Sequence, residues 1–333
     1  MTENNSDKLK KFYQILSKYG IALILVGMVI LMTILKPQSF PSQKNIMNIL
    51  NQSAIVGIMA LGMTLVIISK GIDLSVGSVL ALAGVVAASL SQTQAASIKV
   101  FENLGPQPVI IPILAAIAVG ALCGLISGGL IAYTGIPAFI STLGMMTIAR
   151  GAVYLYTKGQ PISKLSDGIL FFGSNVFKNI PVPVIVYAVM IIFTAILLGY
   201  TRFGKSVYAI GGNIHAAEVS GIKVKRNILF IYIFAGITAA IASIIFTGRV
   251  ASVHPGAAAG YELTVIAATT IGGTSHSGGI GTIWGAVVGT LMLSVLTNGF
   301  TLLGIDPYWQ QIVQGMIIVG AVVLDMRKNA KKA

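Results

Sequence analysis

NIMNILNQSAIVGIMALGMTLVIIS, residues 45–69, runs between Lys44 and Lys70 without a charged side chain. A helix that spans a bilayer needs roughly 17–25 consecutive, mostly apolar residues, so this stretch is long enough to cross the hydrocarbon core. Inside lipid the backbone must satisfy its own hydrogen bonds, and an α-helix does so within one segment. The stretch therefore predicts a membrane-spanning helix.

The composition of the whole chain extends this interpretation. The 333 residues are 55% hydrophobic and 9% charged, with a mean hydropathy of +0.88, whereas soluble domains carry about 25% charged residues. The net charge of +13 would suggest nucleic acid in a soluble protein. Because the charges here flank apolar stretches, they indicate topology instead, and we expect membrane lipid and no nucleic acid as a partner.

Charged residues and breaks divide the chain into about ten apolar gaps, which predicts an all-α polytopic membrane protein with about ten transmembrane helices. Two long gaps break internally, one at Gly135-Ile136-Pro137 and the other at GGTSHSGG, residues 272–279. Proline removes a backbone donor and restricts the residue before it, so the first of these ends a helix. The expected spans are 18–36, 44–70, 73–99, 102–137, 138–157, 178–202, 226–249, 262–272, 279–306 and 306–325.

The distribution of Lys and Arg predicts the orientation. With the N-terminus in the cytoplasm, fourteen of these cations fall inside and seven outside, and cytoplasmic loops carry such an excess. We therefore expect a cytoplasmic tail at residues 1–18, a single transmembrane domain at 19–326 and a basic cytoplasmic tail at 327–333. The longest cytoplasmic loop would be residues 201–226.

Signatures of soluble enzymes are missing from the sequence. The chain has no glycine-rich phosphate loop with its lysine, and its three histidines, at 215, 254 and 276, have no metal-ligand spacing. We expect no catalysis, cofactor or metal. The predicted spans also carry no series of acids or histidines that would suit a proton relay, which argues against coupling to an ion gradient.

A few polar residues within the apolar chain are candidates for a pathway or hinge. Arg150 lies inside the fifth predicted span, about 10 Å from its outer end, and either snorkels to that interface or makes a pair, for example with Glu262. The segments GIDLSVG (71–77) and GTSHSGG (273–279) each form a Gly/Ser hinge between apolar helices, an arrangement found in transporters but also in ordinary turns. The candidate residues are Asp73, Ser75, Arg150, Glu262, Thr274 and Ser275.

Within the 201–226 loop, residues 213–221 predict a short helix. Asn213 suits the N-cap and Gly221 the C′ position that ends a helix, while the small side chains of Ala216 and Ala217 would let the helix pack closely against a partner. Such a rod between two spans suits a transmission element. An ordinary amphipathic loop helix is the alternative.

The segment Ala216-Ala217 followed three residues later by Gly221 resembles the loop core with which permeases of ATP-binding cassette (ABC) importers dock on their ATPase. His215 stands where many of those permeases have Glu, and the later part of that motif is absent. Further blocks resemble the simple-sugar branch, typified by permeases for ribose and for galactose and methyl galactosides. They lie at residues 71–78, 137–144, 201–222 and 260–279, and the resemblance covers about 45–325.

The resemblance implies the ten-span, type II-like importer architecture in a bacterial cytoplasmic membrane. It also implies two permease chains, a tandem cytoplasmic ATPase and a periplasmic or lipid-anchored binding protein that delivers a monosaccharide. The residues that couple to the ATPase would be Asn213, Ala216, Ala217, Glu218 and Gly221. Alternatives are a nucleoside or another small solute as substrate, a gradient-driven secondary transporter, or a membrane protein without transport.

Overall fold

The computed structural model describes residues 20–105, 107–176 and 180–330. The predicted tail at 1–18 and residues 331–333 lie outside this part of the chain. Helices occupy most of it, and the strands are only two residues long. The helices are α1 (Gly20–Leu35), α2 (Gln43–Ile68), α3 (Val76–Leu90), α4 (Ile110–Gly129), α5 (Ala138–Thr157), α6 (Asp167–Leu170), α7 (Val182–Tyr200), α8 (Arg202–Gly212), α9 (Ile214–Val219), α10 (Val224–Val250), α11 (Tyr261–Ile271), α12 (Ile283–Leu303) and α13 (Pro307–Ala330).

Each of the ten predicted spans coincides with a helix, but the number of spanning helices is not confirmed. Within the described residues, only α2, α4 with its π-helical extension, α5, α7, α10 and α12 are long and apolar enough to cross a membrane on their own. The expected spans 73–99 and 262–272 correspond to α3 and α11, of 15 and 11 residues. The charge gap overestimated the first of these, because loop residues on either side of α3 lack charge without being helical, whereas the expectation for 262–272 was already as short as α11.

Several predicted boundaries are confirmed. α5 runs from Ala138 to Thr157 as expected, and α4 passes through a π-helical turn, Leu130–Thr134, to Gly135 at φ 75°. Pro137 is the N-cap of α5. At the other end of the chain, α13 continues to Ala330, so the boundary expected at residue 326 falls inside a helix.

The helix with which the sequence analysis began, α2, is the most buried of the six. It packs against α7, α10, α11 and α12. By contrast, α1, α4, α5 and α7 expose large apolar side chains on their outer sides, including Ile34, Leu122, Ile148 and Ile192. A bilayer would cover such surfaces, since lipid tails are as apolar as these side chains.

A stripe of glycines brings α4 against α10. Gly120 and Gly124 are spaced by four residues, and a Cβ on either would overlap the α10 backbone, at the carbonyl of Gly236 or of Tyr232. Membrane helices that use small residues in this way approach closely enough for backbone-to-backbone packing. These glycines therefore have a packing role.

The connections between helices gather at two opposite ends of the bundle. At one end, β1 (Ile162–Ser163) pairs antiparallel with β4 (Ser252–Val253), and β2 (Asn175–Val176) pairs with β3 (Ile180–Pro181); we call this the strand end. At the other end lie α8 and α9, together with the segments that follow α2 and α11; we call this the α8–α9 end.

Candidate functional site

The first polar group inside the bundle is at the N-terminus of α3. Asp73 is 3% exposed, and its Oδ1 accepts hydrogen bonds from the backbone N–H of Ser75 at 2.8 Å and from the Ser75 hydroxyl at 2.6 Å. The carboxylate thereby satisfies a backbone donor at a helix start, where negative charge is also favoured by the helix dipole. Asp73 and Ser75 thus organise the start of α3.

The second polar group, Glu262, lies in the first turn of α11 and faces α3. Its Oε1 accepts from the backbone N–H of Gly260 at 3.2 Å, and its Oε2 is buried without a hydrogen-bond partner. That free oxygen lies against Gly77, where any Cβ would overlap it. The carboxylate therefore meets the N-termini of two short helices, and both helix dipoles favour its negative charge.

Arg150 provides the third group. Its Nη1 donates to the carbonyl oxygens of Pro255 at 2.8 Å and Ala257 at 2.9 Å, so the guanidinium holds the segment that leads from β4 into α11. In the described part of the chain no hydrogen bond joins Arg150 to Glu262, although the two charges are close enough to interact electrostatically. The hydrogen bonds of Arg150 to these carbonyls were in neither of the two interpretations of the sequence. The side chain anchors backbone instead.

These groups form one neighbourhood, which we call the polar centre: Asp73, Ser75, Gly77, Arg150 and Glu262. Arg150 is about 18 Å from the first residue of α5 and about 10 Å from the last, so the polar centre lies within the bundle and away from its ends. The segment 254–260 enters the bundle from the strand end to reach it. Interrupted helices that meet in this way are a feature of transport pathways.

The short helix predicted at 213–221 is present as α9. The Asn213 side chain accepts from the backbone N–H of Ala216 at 3.1 Å, and Gly221 has φ 80°. The N–H groups of Gly221 and Ile222 donate to the carbonyls of Glu218 and Ala217, at 2.9 and 3.0 Å, which is the pattern of a Schellman C-cap. Both predicted caps are confirmed as structure.

The two alanines of α9 have opposite environments. Ala216 is exposed, whereas Ala217 is 3% exposed and packs with Ile210 of α8 and Val224 of α10. The expectation that both alanines face a partner is therefore wrong for Ala217. The surface that α9 offers outward contains the apolar side chains of Ile214 and Val219, which are 41% and 91% exposed.

A backbone junction ties α8 to two hinge segments. The N–H of Gly279 donates to the carbonyl of Ile68, the last residue of α2, at 2.8 Å. A Cβ on Gly211 of α8 would overlap that same carbonyl and lie 2.6 Å from the Gly279 nitrogen. These three positions, with Tyr208 and Gly281, form what we call the three-way junction.

Tyr208 adds a side-chain link to the three-way junction. Its hydroxyl donates to the carbonyl of Gly281 at 2.8 Å. Burial raises the pKa of the Tyr208 phenol above its ordinary value, so the hydroxyl stays protonated at neutral pH and keeps donating. α8 thus contacts both the end of α2 and the segment between α11 and α12.

Thr274 and Ser275 lie beside this junction and not at the polar centre. Both are buried, the Ser275 N–H donates to Ile280 at 2.9 Å, and the Thr274 hydroxyl has no hydrogen-bond partner. The candidate pathway residues thus divide into two groups, at the polar centre and at the α11–α12 hinge. Sequence reasoning missed the contacts of Tyr208, Gly211 and Gly77, because nothing in the pattern indicates which segments meet them.

The described residues contain no group of three or more His, Cys, Asp or Glu side chains arranged to hold a metal ion.

The architecture defines a class of protein. The bundle has interrupted helices, a charged centre inside it and a helical loop linked to its hinges, which are features of a polytopic membrane transporter component. Comparison with known families agrees with this class. The chain belongs to the family described as the permease component of branched-chain amino acid transport systems, whose model matches residues 45–322.

Curated relatives resemble the chain over nearly its whole length. The ribose import permease of Bacillus subtilis is 43% identical over 321 residues, which cover 96% of each chain. The galactose/methyl galactoside import permease of Salmonella typhimurium is 39% identical over 330 residues, covering 97% of this chain and 98% of that one. The resemblance to this class of permease is confirmed. No solved structure matches the chain significantly.

Proposed function

We propose that this protein is the translocation subunit of an ABC importer and carries a monosaccharide of the ribose or galactose type. Three features support the proposal: membership of a permease family, the sugar import named for its relatives, and the link between the α8–α9 loop and the interior. The three-way junction carries the argument, because it gives a loop outside the membrane a rigid connection to both hinge segments.

The mechanism follows from this connection. A cytoplasmic ATPase that moves α8 and α9 displaces the end of α2, through the Ile68 carbonyl, and the α11–α12 hinge, through Gly279 and Gly281. The short helices α3 and α11 adjoin these hinge segments, and their N-termini meet at the polar centre. Displacement therefore separates or joins the two helix starts and opens or closes a path between them.

The polar centre suits passage of an uncharged, hydroxyl-rich solute. Carboxylates accept hydrogen bonds from sugar hydroxyls, and backbone groups of the 254–260 segment supply further donors and acceptors. Because transport requires release as well as entry, few and weak contacts are adequate. We propose that a separate binding protein selects the sugar and that a tandem ATPase hydrolyses ATP. The importer would contain two permease chains, each with both termini in the cytoplasm.

The function is tested by transport in proteoliposomes that contain the chain, its ATPase and its binding protein. We expect uptake of radiolabelled ribose or galactose to require internal ATP and to continue when ionophores abolish ion gradients. Uptake that needs a gradient and survives removal of the ATPase would identify a secondary transporter. Uptake of a nucleoside in preference to both sugars would change the substrate class and leave the importer mechanism in place.

Docking of the ATPase on α9 is tested with Val219→Asp. Val219 is 91% exposed, so the substitution leaves the fold of the loop intact and places a charge in the proposed contact. We expect ATPase co-purification and sugar uptake to fall together by tenfold or more, about 1.4 kcal/mol. Gln160→Asp, an exposed position at the strand end, is the matched control. Full ATPase recovery and uptake with Val219→Asp would refute docking on this face.

A further inference from the structure

A groove of about 930 Å³ lies between α7, α8 and α10 at the α8–α9 end. Its inner walls are apolar and come from Phe193 and Leu197 of α7 and from Phe230, Ile233 and Ile237 of α10. Because α7 and α10 are both candidate membrane spans, the groove opens beside lipid. It is separate from the polar centre and from the outward face of α9.

The mouth of the groove is cationic. Arg202, Lys223 and Arg226 line it, together with the polar side chains of Ser206 and Asn227, and no carboxylate is among its described lining residues. The Arg226 guanidinium lies 5.4 Å from the centre of the Phe230 ring, a cation–π contact that holds it at the rim. Three positive charges and two neutral donors therefore surround one opening.

The groove has the dimensions of a lipid site. Arg202 follows α7 directly, and Phe193 lies about 10 Å deeper along that helix; Ile237 lies about 16 Å from Arg226 along α10. The cations thus sit at the level of phosphate headgroups while the apolar walls run inward at the level of acyl chains. Basic pockets between membrane helices on the cytoplasmic side bind anionic headgroups in this way.

We infer that this groove binds one anionic glycerophospholipid, with its phosphate among Arg202, Lys223 and Arg226 and one acyl chain along the wall between Phe193 and Ile237. The charge of the rim selects an anionic headgroup over a zwitterionic one. Since α8 forms one side of the groove and also enters the three-way junction, the bound lipid braces the loop against the two spans. The inference does not depend on the sugar or on the ATPase.

The test measures lipid retention by the purified full-length chain in nanodiscs that contain equal amounts of phosphatidylglycerol and phosphatidylcholine. After release into the gas phase, native mass spectrometry counts the lipids that remain bound. We expect one phosphatidylglycerol to be retained in preference to phosphatidylcholine. Each of Arg202→Gln, Lys223→Gln and Arg226→Gln should lower that preference by about fivefold.

The matched control removes the same charge from the same segment. Lys205 and Lys225 are exposed cations of the loop that do not line the groove, and Lys205→Gln with Lys225→Gln should leave retention unchanged. Ile237→Trp fills the apolar wall without altering charge and should reduce retention of the lipid. Soluble glycerol phosphate, which lacks acyl chains, should not compete with the lipid.

Several results would overturn the inference. Equal losses in the groove and control variants would mean that diffuse surface charge is responsible. Equal retention of the two lipids, or full competition by glycerol phosphate, would exclude an anionic phospholipid site. A dimer mass that the groove variants abolish would identify a second copy of the chain as the occupant. Three separate single variants keep the test decisive if one of them does not fold.

Discussion

At the scale of single residues, this protein uses side chains chiefly to fix backbone. Arg150 holds the 254–260 segment by two carbonyls. Asp73 accepts from the backbone N–H of Ser75, the N-cap of α3, and Asn213 and Gly221 cap the two ends of the short helix α9. Each role satisfies backbone groups that a helix end or an irregular segment leaves without a partner.

Arg150→Met should weaken both the fold and transport. The substitution leaves the carbonyls of Pro255 and Ala257 without the donor that serves them, and a hydrogen bond to a charged group contributes about 1.5–3 kcal/mol. We expect a lower thermal unfolding temperature in detergent and reduced sugar uptake, with Arg150→Lys intermediate because Lys lacks the planar fork. Lys44→Met, at an exposed position, is the control. Unchanged stability and uptake in Arg150→Met would contradict the anchoring role.

Gly221 variants should rank by their tolerance of positive φ. A Cβ on Gly221 meets no atom within 4 Å, so the cost of substitution is backbone strain, about 1–2 kcal/mol for most residues. We expect Gly221→Asn to be mildest, Gly221→Ala intermediate and Gly221→Val most severe. Limited proteolysis of the α8–α9 loop measures the effect without any partner present. Equal protection in all three variants would mean that the C-cap does not stabilise the loop.

At the scale of elements, the contrast between long and short helices organises the molecule. α2 and α10 form the buried interior with α4 against α10, whereas α3 and α11 are too short to span alone and begin inside the bundle. Long helices supply a fixed frame, and short ones bring helix N-termini and their polar groups to the polar centre. The loop formed by α8 and α9 reaches this arrangement through the three-way junction.

Gly124→Ala should separate α4 from α10. Even a methyl group at this position overlaps the Tyr232 carbonyl, and overpacking of this kind costs about 1–3 kcal/mol. Gly144→Ala in α5 is the matched control, because a Cβ there meets no atom within 4 Å and the change favours helix. Denaturant titration of the solubilised chain should show a lower midpoint only for Gly124→Ala. Equal midpoints would show that the glycine stripe is not a tight interface.

At the scale of the whole molecule, the two ends of the bundle have different character. The strand end is closed by short strand pairs and by the contact of Gly173 with the backbone of Gly248 and Arg249. The α8–α9 end carries the loop helices, the basic groove and the three-way junction. This division supports the proposed assignment of the α8–α9 end to the cytoplasm, where an ATPase and anionic lipid headgroups are available.

Labelling of introduced cysteines should distinguish the ends. The buried Cys123 is first replaced by Ala, and a single cysteine is then introduced. Gln160→Cys lies at the strand end and Lys223→Cys at the α8–α9 end. Both positions are exposed. We expect a membrane-impermeant maleimide to label residue 160 in intact cells and residue 223 only after permeabilisation. Labelling of both positions from the same side would contradict the alternating topology, and the reverse pattern would invert the orientation.

Local sequence predicted much of this protein. The uncharged runs located ten helical segments, and Gly135-Ile136-Pro137 marked a real break. Asn213 and Gly221 were predicted as caps and are caps. These features depend on neighbours along the chain: hydropathy, missing donors and tolerance of positive φ act within a few residues. Family membership could likewise be anticipated, because its motifs are contiguous.

Only the tertiary structure decided where the segments meet. Gaps between charges do not distinguish a helix from an uncharged loop, so residues 73–75 and 91–99, which flank α3, were counted as part of a span. Three findings involve contacts between different segments of the chain. Arg150 binds the Pro255 carbonyl, Ala217 is buried by packing with Ile210 and Val224, and Gly211 meets Ile68 and Gly279. Such contacts follow from the packing of whole helices, a long-range property that no local pattern encodes.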